Sequence, residues 1–179
     1  MKINIVMVEP EIPQNTGNVA RTCAATGAKL HLVKPLGFEI NDKYLKRAGL
    51  DYWDKLEIEE HENLTEFLEK YKSDLDKMFL VSTKSKHTYS EIEYIKYDEV
   101  FFLFGKETKG LPEELLKQYI DKAIRIPMKE GLRSLNLSNS VCIVVYEALR
   151  QNNFDNLQQI SSYFAWKRYI IWHILKFVV

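Results

Sequence analysis

The sequence predicts an α/β fold, a parallel sheet flanked by helices. Two observations carry that reading. Short runs of β-branched and aromatic residues alternate with stretches whose apolar residues recur at helical spacing. The first units run strand, loop, helix, strand, the βαβ order that joins parallel neighbours. No internal repeat, low-complexity tract or linker interrupts the pattern before about residue 151.

Taken in order, residues 3–8 read as a short buried strand, stopped by Glu9 and Pro10. A proline-rich loop follows. Residues 16–26 fit a helix with Val19, Ala20, Cys23 and Ala24 at helical spacing and Gly27 as the stop. Residues 29–33 are the second strand, ended by Pro35. A short basic helix is expected over 42–49 and a third strand over 56–58. Leu64, Phe67, Leu68 and Tyr71 share one face of a helix over 64–71. Residues 78–81 and 100–104 are strands, the second the clearest in the chain. A loop over 105–112 opens into a helix ending near Tyr119, and 123–126 is a last short strand before Pro127. A polar loop then leads to an apolar helix over 139–150.

Asn152, Asn153 and Asn156 break this alternation. Beyond them Ile160, Tyr163, Phe164, Lys167, Ile171, Ile174, Leu175 and Val178 fall near one helical face, expected to dock on a partner or on the domain, with an interfacial amphipathic helix as the alternative. Residues 163–179 are too short and too charged for a membrane span. The expected organisation is one domain over 1–152 and a helical, apolar and basic tail over 153–179.

Composition narrows the function classes. The chain has 179 residues, 25 basic and 25 acidic side chains, and is 46% hydrophobic, the balance of a globular chain with a real core. Cys23 and Cys142 make neither a disulfide framework nor a metal cluster, which suits a reducing cytoplasm. The first apolar run is too short for a signal peptide. His31, His61, His87 and His173 are scattered without ligand spacing, so no metal is expected. Zero net charge predicts weak non-specific affinity for nucleic acid with a modest salt slope, since binding follows the local charge. Glu57, Glu59, Glu60, Glu62, Glu66 and Glu69 form an acidic block expected to lie far from any RNA.

Three loops carry the chemistry. The first, around Asn15, Gly17 and Arg21, follows a strand and opens a helix, where α/β sheets bind ligands. Asn15 can cap that helix. Arg21 in an early turn opposes the helix dipole and points to an anionic ligand or partner. The second loop, 104–112, has two glycines that let backbone approach a ligand, but it is neither a P-loop nor a dinucleotide fingerprint. The third, 133–141, holds more polar residues than a cap needs. Ser138 or Asn139 is expected to cap the apolar helix. Ser134 and Asn136 are then surplus, expected to be buried against the backbone of another loop.

These stretches resemble a known family. Ile12-Pro-Gln-Asn-Thr-Gly-Asn-Val-Ala-Arg21, Phe104-Gly-Lys-Glu-Thr-Lys-Gly-Leu-Pro112 and Arg133-Ser-Leu-Asn-Leu-Ser-Asn139 look like the three motifs of SPOUT RNA methyltransferases. Glu9-Pro-Glu-Ile-Pro13, Arg47-Ala-Gly-Leu-Asp-Tyr52 and Tyr146-Glu-Ala-Leu-Arg150 are similar to its small TrmL type, and the likeness covers about residues 1–152. The resemblance implies a parallel sheet with a deep C-terminal trefoil knot, a homodimer, and no membrane. It implies transfer of a methyl group from S-adenosyl-L-methionine, leaving S-adenosyl-L-homocysteine. The acceptor would be the ribose 2′-hydroxyl of the tRNA wobble nucleotide, cytidine 34 or a modified uridine 34 in the anticodon stem-loop.

Residue by residue, the resemblance assigns the cofactor to Val81, Ser82, Gly105, Glu107, Ile126, Met128, Ser134 and Leu135. It assigns catalysis to Arg21 with Asn15, and the knot to Asn136, Ser138 and Asn139. Arg21, Lys46, Arg47, Lys84, Lys86 and Arg133 form the expected RNA-binding surface. Two alternatives remain at this point: another tRNA or ribosomal RNA position, or an RNA-binding protein without catalysis. Intact Arg21, Glu107, Ser134 and Asn136 argue against the latter. Nucleotide hydrolysis is a weak third, since both phosphate fingerprints are missing.

Overall fold

Side-chain alternation along the strands sorts this chain into two cores, one on each face of a sheet. The computed structural model describes residues 1–39 and 56–161. Within them six strands form that sheet: β1 (Lys2–Val8), β2 (Lys29–Val33), β3 (Ile58–His61), β4 (Met78–Val81), β5 (Glu99–Phe104) and β6 (Ala123–Ile124). Their order is β3-β2-β1-β5-β4-β6, and every pairing is parallel. The helices are α1 (Pro13–Thr26), α2 (Leu64–Lys70), α3 (Glu113–Gln118) and α4 (Leu137–Gln151). The parallel α/β expectation is met. The short helix expected over 42–49, Lys46, Arg47, the stretch to Tyr52 and the tail beyond residue 161 lie outside the described residues.

Ile3, Ile5 and Met7 of β1 and Val100, Phe102 and Phe104 of β5 point into one core, which Val19 and Cys23 of α1 and Val141 and Val144 of α4 complete. Val6, Val8, Phe101 and Leu103 point the other way, against Phe67 of α2 and Leu115 and Leu116 of α3. Covering both faces explains why β1 and β5 read as unbroken apolar runs. Each fully buried Phe contributes roughly 1.5–3 kcal/mol, so β5 is the spine of the fold.

Several element ends differ from the sequence reading, each for a physical reason. The helix expected from Thr16 starts at Pro13, since proline at the first helical position gives up only an N–H that has no helical partner anyway. Asn15 is therefore inside α1 and does not cap it. The third strand is Ile58–His61, not 56–58. Its acidic sequence disguises an edge strand whose carboxylates face lysines: Lys29 meets Glu57 at 3.0 Å and Glu59 at 2.8 Å, and Lys34 meets Glu60 at 3.2 Å and Glu62 at 2.9 Å. β6 stops at Ile124, and Arg125 keeps only an isolated bridge to Thr88. α4 starts at Leu137, and its cap is Asn136, whose side chain accepts from the N–H of Asn139.

This topology fixes where a ligand can go. β1 has β2 on one side and β5 on the other, so the winding of the sheet reverses between β1 and β5. In open parallel sheets the crevice lies at that reversal, beyond the C-terminal ends of the strands. The loop from Glu9 to Ile12 leaves β1 there, and the loop from Gly105 to Pro112 leaves β5 beside it. Among the described residues, no helix is long and apolar enough to cross a membrane.

Candidate active site

A cavity of about 630 Å³ opens at this reversal. Val81 and Ser82 from the end of β4, Gly105 and Glu107 from the loop after β5, and Ile126, Met128, Ser134 and Leu135 from the segment between β6 and α4 all line it. These are the eight positions expected to hold a cofactor. Asn15, Lys84, Arg133 and Asn136 line it as well. Arg21 and Lys86 are exposed and lie outside its lining, as do buried Ser138 and exposed Asn139.

Gly105 is required by its surroundings. A Cβ there would sit 2.0 Å from the backbone of Gly110 and Leu111. The loop folds back on itself at this point, and the N–H of Gly110 donates to the carbonyl of Lys106 at 2.7 Å. That turn aims Lys106, Glu107 and Thr108 at the loop before α1.

Glu107 is the hub. Its carboxylate accepts from the backbone N–H of Glu11 at 2.8 Å and of Ile12 at 3.3 Å, and from Asn15 Nδ2 at 2.9 Å. It thus supplies negative charge at the start of α1, where Ile12 offers no side-chain cap. Asn15 is buried and spends both ends of its amide. Its Oδ1 accepts from Asn136 Nδ2 at 2.9 Å. Asn136 Oδ1 accepts in turn from Ser138 Oγ at 2.7 Å and from the N–H of Asn139 at 3.3 Å. One polar chain therefore ties all three motifs together. The expectation of buried amides meeting backbone is corrected here: Ser134 and Asn136 are exposed, and the spare amide of Asn136 meets a side chain.

Two further contacts were not read from the sequence. Thr108 donates to the Glu11 carboxylate from its N–H at 3.0 Å and from its hydroxyl at 2.8 Å. Lys106 forms an ion pair with Glu9, which raises the lysine pKa. Glu9 has φ 51°, a left-handed conformation that costs a non-glycine residue about 1–2 kcal/mol. Its N–H donates to the carbonyl of Val33 at 2.9 Å. Glu9-Pro-Glu11 and Lys106-Glu-Thr108 stand out as charged strings, but nothing in a linear sequence pairs residues 97 positions apart.

A second polar cluster lies near the edge of the sheet, against α2. Two of the four histidines read as scattered meet here. Asn4 Nδ2 donates to Glu99 and to the carbonyl of Val100, so its Oδ1 is left to accept from His31 Nε2 at 3.1 Å. His31 Nδ1 then accepts from His61 Nε2 at 3.1 Å, and that nitrogen lies 3.4 Å from Glu59. His31, Glu59 and His61 form a group of metal-binding type that the sequence spacing did not reveal. Glu59, however, already accepts from Lys29, Lys70 and Tyr71. Burial opposes ionisation of Glu59, but these donors outweigh it and bring its pKa down to about 2. Burial, helped by the charge of Lys29, pushes His31 down to about 3, so it is neutral in the fold. Burial also lowers His61.

Most of the acidic block is engaged at this edge. Glu59 takes Lys29 and Lys70, Glu60 and Glu62 take Lys34, and Glu69 takes Lys72. It lines none of the cavity.

The cavity suits an adenosine-bearing methyl donor by its chemistry. Val81, Ile126, Met128 and Leu135 give apolar walls, Ser82 and Ser134 give hydroxyls, and its volume lies within the roughly 300–1,000 Å³ of small-molecule sites.

Known proteins share this fold. A protein of Lactococcus lactis with the provisional name tRNA (cytidine(34)-2'-O)-methyltransferase is 52% identical over 163 residues, 89% of this chain and 95% of that protein. A tRNA (cytidine(34)-2'-O)-methyltransferase of Burkholderia ambifaria is 44% identical over 85% of this chain and 97% of its own length. A solved structure described as giving insights into the 2-OH methylation of C/U34 on tRNA superposes with a TM-score of 0.80 at 41% identity, covering 86% of this chain and 97% of that one. An AdoMet-bound rRNA methyltransferase from Sinorhizobium meliloti superposes at 0.75 with 26% identity, over 83% of this chain and 56% of that one. The SpoU rRNA Methylase family matches residues 2–146, so the cavity and all three motifs fall inside the match. By descent as well as by fold, the chain belongs to the SpoU rRNA Methylase family.

Proposed function

We propose that this protein methylates the ribose 2′-hydroxyl of the tRNA wobble nucleotide, cytidine 34 or a modified uridine 34, with S-adenosyl-L-methionine as donor. The observation that carries the reading is the cavity: the eight positions assigned to the cofactor by resemblance line one volume at the reversal of the sheet. The wobble position follows the names of relatives up to 52% identical.

When bound, the donor supplies a methyl group already activated on sulfonium. The protein has to align and to handle a proton. Val81, Ile126, Met128 and Leu135 would hold the adenine, with backbone groups of the loop after Gly105 available to hydrogen-bond to it. The Glu107–Asn15–Asn136 chain fixes the start of α1 against that loop, and with it the helix that carries Arg21. A guanidinium has five donors and no acceptor, so Arg21 is no base. It grips the phosphate beside the target ribose and stabilises the alkoxide as charge develops. A phosphate oxygen or water takes the proton.

The remaining expectations belong to the same reading. A knot is supported by the way residues 82–89 bind the outgoing strand: Ser82 N–H donates to Ile124, Arg125 N–H to His87 and Tyr89 N–H to Arg125, each at 2.9 Å. A homodimer is supported by exposed apolar side chains around the cavity and on α4, Leu132 at 63%, Ile12 at 41% and Tyr146 at 43%. Lys84, Arg133 and Arg21 face the anticodon stem-loop and the chain works in the cytoplasm; the boundary expected at residue 152 is not a clean one, since Phe154 and Leu157 still pack on the core of the domain.

Replacing Arg21 tests the mechanism. Arg21→Ala abolishes methyl transfer to purified tRNA while titration calorimetry finds S-adenosyl-L-homocysteine bound as in the wild type. Arg21→Lys is also poor, because it loses the planar fork. Retention of most activity by Arg21→Ala would contradict this role.

A further inference from the structure

Lys106, Glu107 and Thr108 each reach the loop that precedes α1. Glu107 belongs to the polar chain described above. The contacts on either side of it do another job. Thr108 sits at the exposed tip of the loop that walls the cavity. Its N–H and hydroxyl both end on Glu11, a residue that does not line the cavity. Among the described residues, a second hydrogen bond at the tip is internal, from Gly110 N–H to the Lys106 carbonyl. Glu11 and Glu107 thus clasp each other's loops, each carboxylate accepting backbone N–H from the opposite side. A wall ordered before the ligand arrives lowers the entropic cost of binding.

We infer that Glu11, acting through Thr108, is a positioning residue that holds the cofactor loop in its binding-competent shape and so sets affinity for the methyl donor. The inference rests on the S-adenosyl-L-methionine reading above. Glu11 contributes to ground state and transition state alike, so its loss raises KM for the donor and leaves kcat nearly unchanged.

The test is a double-mutant cycle on the full chain, read by titration calorimetry with S-adenosyl-L-homocysteine and by steady-state kinetics. Glu11→Ala and Thr108→Val each weaken binding about ten-fold, as expected for hydrogen bonds to a charged group. The double variant is no worse than Glu11→Ala, and Thr108→Ser restores wild-type affinity. KM for the donor rises in parallel while kcat stays within about two-fold. If Glu11→Ala does not fold, Thr108→Val and Thr108→Ser decide alone. Binding unchanged in the folded variants, losses that add independently, or a fall in kcat with KM unchanged would overturn the role of Glu11. A wild-type chain that binds no S-adenosyl-L-homocysteine overturns the cofactor reading itself, and the role of Glu11 with it.

Discussion

Two polar clusters sit on the same sheet and end differently. Near the edge, Asn4, His31, His61 and Glu59 hand hydrogen bonds along a buried line that closes on Lys29, Lys70 and Tyr71. At the reversal of the sheet, Glu107, Asn15, Asn136 and Ser138 form a line of similar length, but three of its members border an open cavity. Of the two clusters, the first contains the strongly shifted groups, His31 at about 3 and Glu59 at about 2. Perturbed titration often marks active sites, and structural ion-pair networks perturb it too. Here it marks the structural cluster. The cavity, its lining and the reversal of strand order locate the site instead.

That contrast predicts different costs of damage. The largest effect is at the edge. His31→Ala removes a buried ring, strips Asn4 Oδ1 of its donor and leaves His61 Nε2 only its approach to Glu59, a loss of roughly 4 kcal/mol in urea unfolding. Kinetic constants of the folded variant at low temperature stay within about two-fold of wild type, because nothing at the cavity moves. A variant that unfolds normally but turns over poorly would break the comparison.

Next comes Asn136→Ala, at the cavity. It cuts the line between Asn15 and the cap of α4 and lowers turnover on the order of 100-fold, the scale of a small misplacement of reacting groups. Loss of the cap costs about 1 kcal/mol, a shift of a few degrees in melting temperature. Stability lost without activity lost would make this cluster structural like the other.

The smallest effect is a pH dependence centred on the edge. His31 is held neutral with a pKa of about 3, against an ordinary value of 6.5. Between those values the unfolded chain binds the extra proton, so stability is full above about 6.5 and is lost as pH falls toward 3. Glu59, at about 2 against 4.5, contributes stability that is present above 4.5 and lost as pH falls toward 2. Between pH 7.5 and 5 the histidine alone removes roughly 2 kcal/mol. Calorimetric melting shows that decline in the wild type and a flatter profile in His31→Ala. Equal slopes in both would show that His31 is not the group being titrated.

The same contrast explains what the sequence reveals and what it conceals. Lys29–Val33 and Met78–Val81 match their expected bounds, because their apolar residues are buried whatever their neighbours. That the eight positions expected to hold the cofactor line one cavity is legible because the motifs keep their order along the chain and meet at one end of the sheet. β3 is concealed because Glu59 and Glu60 look solvated until β2 places Lys29 and Lys34 beside them. The histidine pair is concealed for the same reason, since His31 and His61 lie 30 positions apart on neighbouring strands. Capping by Asn136 is hidden by an excess of qualified residues, as Ser138 and Asn139 would serve equally well by type.

The most direct test of the central claim is to find where a methyl group goes. The purified full chain is incubated with S-adenosyl-L-methionine and tRNA transcripts, and nuclease fragments are mapped by mass spectrometry. The predicted result is one 2′-O-methyl group at nucleotide 34, absent from a transcript carrying 2′-deoxyribose there and absent with Arg21→Ala. Methylation at another nucleotide, or none by a wild-type chain that binds S-adenosyl-L-homocysteine, would contradict the account.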